Sequence, residues 1–148
     1  MQSIIIVFGL IAGLAACSSS ATPAAFPDGW TTTSGKAEMT ASHGPQQFAL
    51  KKVPFSGTIK DFASQLTINT VLANRTAKFV RSVPFPECPG EAGIQTFALG
   101  GASPQTLEVG FTVTGNMAIT ASYARPKGAA ADPAAHAAMQ KDVCTVVV

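Results

Sequence analysis

Two runs of strict alternation constrain this chain more than any other feature. Leu107, Val109, Phe111 and Val113 are followed, across Thr114-Gly115-Asn116, by Met117, Ile119, Ala121 and Tyr123, with an apolar residue at every second position. A period of two belongs to a pleated strand and is incompatible with one face of a helix. Residues 94–99 read as a further strand, set off by Gly100-Gly101-Ala102-Ser103-Pro104. Turn residues at both junctions make these three strands a meander with one buried face. The intervening Thr106, Glu108, Thr112, Thr120 and Ser122 are polar or small, which leaves the opposite face to solvent or to a light cover. An antiparallel sheet is therefore the centre of the fold.

Further strands precede the meander. Residues 30–42 are rich in Thr and small residues, with Ala37, Met39 and Ala41 alternating, and residues 46–53 resume the pattern with Phe48 and Leu50 after His43-Gly44-Pro45. The pair reads as a hairpin, with His43 a solvated turn residue rather than a ligand. From residue 58 the period changes. Ile59, Phe62, Ala63, Leu66 and Thr70 lie at helical spacing, Ser56 or Thr58 can cap the start, and Asp61 and Arg75 suit the two ends of the dipole, predicting an amphipathic helix over 58–73. Gln65, Asn69 and Asn74 fall on its wet side. Residues 78–83 are a short strand, ended by Pro84-Phe85-Pro86-Glu87-Cys88-Pro89-Gly90, whose prolines remove amide donors and forbid continuation. Asp132-Pro133 opens a last helix with Ala135, Ala138, Met139 and Val143 inward and His136, Gln140 and Lys141 outward. Because its inner stripe is mostly alanine, that helix must lie close to its support. Residues 145–148 would add an edge strand or trail off.

The start of the chain carries an address. Residues 4–16 are uncharged and apolar, the length of a signal-peptide core and too short to span a bilayer. The run ends in Leu14-Ala15-Ala16-Cys17, which resembles the lipobox of bacterial lipoproteins. That resemblance implies removal of residues 1–16, a diacylglycerol thioether on Cys17 and an acylated N-terminus. Met1-Gln2-Ser3 lacks the usual Lys or Arg, so either the free amino group stands in or the start lies upstream. Ordinary cleavage near Ala21 is the alternative and leaves Cys17 without a role. Residues 17–25 read as a lipidated tether and residues 26–148 as one domain, since removing 16 of 148 residues leaves 132. Ser18, where aspartate would resemble an inner-membrane retention signal, favours the periplasmic face of the outer membrane in a diderm host.

With Cys17 assigned to lipid, Cys88 and Cys144 remain as a pair. In an oxidising envelope they are most simply a disulfide. No CxxC partner points to metal or redox use, and neither His43 nor His136 sits at ligand spacing. The stiff loop with Phe85, Pro86 and Glu87 is the candidate partner surface. Trp30, in Phe26-Pro27-Asp28-Gly29-Trp30, packs at the edge of the core.

With 12% charged residues and a net charge of +2, the chain is neither a disordered acidic segment nor a nucleic-acid binder. It carries no GxSxG, HExxH or phosphate-binding glycine loop, so no catalytic, metal or cofactor-binding residue is expected, and an enzyme is disfavoured.

The order of elements supplies a second resemblance. Phe26-Pro27-Asp28-Gly29-Trp30, two strands, a long helix, strands ending in Tyr123-Ala124-Arg125-Pro126 and a closing helix are together similar to the PsbP-like fold. The likeness covers residues 26–146 and implies an α/β/α sandwich, here with about six antiparallel strands and two main helices. It also implies a protein that binds or stabilises other proteins without catalysis. The expected function is thus a non-catalytic, lipid-anchored accessory protein of the cell envelope, docking on an envelope partner through an exposed apolar patch. The alternative is a carrier or sensor for a small apolar ligand in a cavity between sheet and helix, lined by Phe62, Leu66, Phe111 and Ile119.

Overall fold

The computed structural model describes residues 26–85, 88 and 91–144; Cys17, the tether, Pro86, Glu87 and residues 145–148 lie outside them. The described elements are β1 (Thr31–Ser34), β2 (Glu38–His43), β3 (Gln46–Pro54), α1 (Ile59–Ala73), β4 (Ala77–Pro84), β5 (Gly93–Leu99), β6 (Gln105–Thr114), β7 (Met117–Pro126) and α2 (Pro133–Cys144). The strands form one seven-stranded sheet in the order β1-β2-β3-β7-β6-β5-β4, antiparallel at every junction. The expected count of about six is one short. A turn at Gly35, whose N–H donates to Glu38 O at 2.7 Å, splits the first extended run into β1 and β2.

One expectation about the meander is corrected by its turn. Gly115 at φ +63° supplies the left-handed backbone of a two-residue loop, so Thr114 pairs with Met117. Odd positions of β6 then face even positions of β7: Val109 opposes Ser122 and Glu108 opposes Tyr123. The two alternating apolar sets consequently point to opposite sides, and each side of the sheet carries its own buried cluster.

Each side has its own cover. On one, Met39, Ala41, Phe48, Leu50, Ala121 and Tyr123 pack against Ala135, Ala138, Met139 and Val143 of α2. On the other, Phe111 and Ala118 pack against Phe62, with Ile59, Ala63 and Leu66 of α1 around them. The close seat predicted for α2 is visible at Gly110, where an added Cβ would lie 2.9 Å from Met139 Cγ and 3.0 Å from Phe85 Cε2. Only a residue without a side chain fits there.

The helix boundaries have local causes. Thr58 caps α1, its hydroxyl accepting from Asp61 N–H at 3.0 Å while the Asp61 carboxylate accepts from Thr58 N–H at 3.1 Å. Asn74 forms the C-cap. At α2, Asp132 Oδ1 accepts from Ala134 N–H at 2.9 Å. No described helix is long and apolar enough to cross a membrane.

Candidate functional site

The proline loop is held at both ends. Cys88 and Cys144 are joined, with Cα atoms 4.9 Å apart and a sequence separation of 56, tying the loop to the end of α2. Of the candidate partner surface, Pro86 and Glu87 lie outside the described residues. Phe85 is half-buried and packs against the α2-side core, its N–H donating to Ala92 O at 2.9 Å. Its ring is thus used largely inside the fold, over the bare backbone of Gly110.

A polar cluster lies under α2 where alternation alone placed a solvated face. Glu108 is 8% exposed. Its Oε1 lies 2.9 Å from His136 Nε2 and 3.3 Å from Arg125 Nη1. The arginine contact is coulombic and falls short of a hydrogen bond. His136, expected to point outward, is exposed over half of its side chain while its Nε2 reaches this carboxylate. The Glu108 carboxyl is held below its ordinary range, chiefly by His136, and the His136 imidazole is held above its own by Glu108.

Beside them Tyr123, fully buried, accepts from Asp132 N–H at 2.9 Å and donates to Gln46 Oε1. Arg125 lies 5.4 Å from the centre of the Tyr123 ring and donates through Nε to Ala129 O at 3.0 Å. These contacts join β3, β6, β7, the 126–132 connection and α2. They are cement between helix and sheet. Nothing in the sequence pattern pairs Glu108 with His136, which lie 28 residues apart. Among the described residues no group of three His, Cys, Asp or Glu side chains is placed to hold a metal.

The ligand cavity expected between sheet and helix does not assemble from its four named residues. Phe62, Leu66 and Phe111 belong to the α1 side, with Phe62 and Phe111 ring centres 6.0 Å apart, whereas Ile119 packs on the α2 side. Gln95, 2% exposed beneath α1, is spent on Ala63 O and Thr67. An open concavity of about 460 Å³ does lie on the sheet's far half, over Thr33, Thr40, Ser42, Ala49, Ser122 and Ala124, and no charged group lines it.

The surface that breaks the ordinary pattern is made by α1 and β4, which touch each other. On the outer side of α1, Ile68 is 58% and Leu72 72% exposed, one turn apart. β4 is the sheet's last strand, and seven of its eight residues are exposed, including Phe79 and Val80. Helical periodicity assigned the outer side of α1 to Gln65, Asn69 and Asn74; Ile68, Val71 and Leu72, all off the inner stripe, were the signal available.

No family model and no curated protein matches the sequence. Several solved structures match, two of them as follows. One is a crystal structure of a protein from Bacteroides thetaiotaomicron VPI-5482, at 19% identity and a TM-score of 0.46, covering 74% of this chain; this chain spans 40% of that protein's length. The other is the solution structure of cyanobacterial PsbP (CyanoP) from Synechocystis sp. PCC 6803, at 13% identity and a TM-score of 0.51, covering 69% of this chain and 72% of that one. The second alignment spans most of both chains, and the seven antiparallel strands and two helices described here have a PsbP-like fold.

Proposed function

We propose that this chain is a non-catalytic, lipid-anchored protein of the cell envelope that docks on or stabilises another envelope protein. Its leader and Leu14-Ala15-Ala16-Cys17 support the anchor at Cys17, with the tether of residues 18–25 holding the domain off the membrane surface. The observation that carries the docking reading is the apolar surface of α1 and β4, where Ile68, Leu72 and Val80 each keep more than half their surface in water. Exposed apolar groups of this size rimmed by polar residues are common in partner-binding surfaces. The buried polar groups described above serve internal contacts, which fits a body built for rigidity.

Crosslinking the tagged lipoprotein in its own membranes, followed by pull-down, tests the reading. One stoichiometric protein partner is expected; recovery of the lipoprotein alone refutes docking. Blocking lipoprotein signal processing should slow the protein's migration on a gel, and unchanged migration removes the anchor.

A further inference from the structure

We propose that the outer edge of β4 is a strand-addition site for an extended, amphipathic segment of a partner protein, acidic on one face and apolar on the other. This rests on the docking reading and names its site and chemistry. Among the described residues no strand pairs with the outer side of β4. Its outward N–H and C=O groups are therefore a template for another strand.

The side chains decide which strand fits. Phe79 pairs with Phe97 and so lies on the α1 side of the sheet. Lys78 pairs with Ala98 and Arg81 with Thr96, both on the α2 side. Three residues apart, Lys78 and Arg81 would ordinarily point to opposite faces. The register shift between Phe79 and Arg81 brings them to the same one. A strand laid against β4 thus meets two cations on one face and an exposed aromatic ring on the other.

Charge runs the same way over a wider area. Residues 62–86 contain Arg75, Lys78 and Arg81 and no Asp or Glu. A second copy of this chain is a poor occupant, because its β4 edge brings the same two cations and no acid, and an antiparallel pairing about the midpoint of Phe79 and Val80 sets Lys78 against Arg81. An anionic lipid surface would satisfy the cations and Phe79 but leave the edge amides and carbonyls unpaired in an apolar medium. A partner strand with Asp or Glu at alternate positions satisfies all three groups. The bulge and the cations that protect the edge from indiscriminate pairing also select this partner.

The test uses the full chain in detergent, with backbone amide exchange read by mass spectrometry. Its probe is a capped peptide of alternating Glu and Val, compared with one of alternating Lys and Val. The acidic peptide should slow exchange across Ala77–Pro84 and the basic one should not. The K78E/R81E variant should bind the acidic peptide at least about tenfold more weakly and prefer the basic one. No slowing in β4, equal slowing by both peptides, or slowing by phosphatidylglycerol vesicles in place of peptide overturns the proposal. In the native membrane, a photocrosslinker at position 80 should capture the partner. A partner captured only from positions outside α1 and β4 overturns the edge site and leaves docking standing. No partner from any position overturns both.

Discussion

Asp142 on α2 offers a perturbation whose sign is unusual: removing its charge should stabilise the protein. Its Oδ2 is buried and has no hydrogen-bond partner among the described residues. Burial pushes the carboxyl from 3.8 up to about 6, with Lys141 and Lys52 opposing the rise. Native Asp142 therefore holds its proton between those values while the unfolded chain has released it, so stability falls as pH rises through that window and the charged form is a cost above it. A rise of about two pH units corresponds to about 3 kcal/mol for a fully desolvated group; partial exposure halves this to about 1.5 kcal/mol. Asp142→Asn keeps the shape and removes the charge. Thermal unfolding followed by circular dichroism at about pH 7.5 should show a gain of about 1–2 kcal/mol, or about 5 °C. The gain should vanish below about pH 3.5, where both states of the native protein carry a protonated Asp142. A loss of stability at the higher pH would mean the carboxylate is paired, and would refute the reasoning.

Other perturbations test the packing and the staple. Gly110→Ala drives a methyl into Met139 and Phe85 and should cost about 1–3 kcal/mol in urea unfolding, while Gly110→Ala combined with Met139→Ala should cost less than the sum of the two single changes. Additive costs would place α2 further from β6 than described. Replacing Cys88 and Cys144 together by Ala releases a loop of 56-residue separation and should lower stability by up to about 4 kcal/mol. A loss under about 1 kcal/mol would show that the bridge does little beyond the packing of α2. Glu108→Gln should cost about 1 kcal/mol, most of it between about pH 4.5 and 6.5. The His136 contribution is present below its ordinary value and is lost as pH rises through its raised one, and the Glu108 contribution is lost as pH falls through its lowered one. A difference independent of pH would mean the two are not an ion pair.

The elements that the sequence makes legible are those set by local chemistry. Thr58 with Asp61 announces the start of α1, Asp132-Pro133 that of α2, and alternation marks β3, β6 and β7 almost to their ends. Facing is another matter, because it depends on how two strands pair. Here a two-residue loop reverses parity, and the same alternation that correctly gives two strands wrongly gives one buried face. The polar cluster was missed for the same reason. Glu108 read as outward because its neighbours Leu107 and Val109 read as inward, and the cover over it comes from His136 on a distant helix. The exposed side of α1 escaped because a satisfied inner stripe, from Ile59 to Thr70, draws the eye from Ile68 and Leu72 behind it. Register at β4 was beyond reach, since no residue type announces the shift after Phe79.

Tyr123-Ala124-Arg125-Pro126 is one of the two motifs that made the chain resemble a known fold, and its side chains are spent on holding that fold together. Tyr123 reaches Asp132 and Gln46, Arg125 reaches Glu108 and Ala129, and both are consumed in seating α2. A sheet whose closing helix is built on alanine needs such polar pins, because small side chains bury little apolar surface. Phe26 and Trp30, from the other motif, meet at a tilt with ring centres 4.8 Å apart, and Phe26 sits edge-on to the buried ring of Phe48 at 5.2 Å. Both motifs therefore specify the scaffold. Function on such a scaffold lies in what those pins leave free, and the proposed docking surface is of that kind: Ile68, Leu72, Phe79 and Val80 are exposed beside the exposed Arg75, Lys78 and Arg81. Substitutions in the pins should accordingly lower stability while leaving any surviving folded protein able to bind its partner, and charge reversals at Lys78 and Arg81 should do the converse. Stability and crosslinking yield, measured on the same pair of variants, separate the two roles; a pin variant that stays folded but loses its partner would break this division.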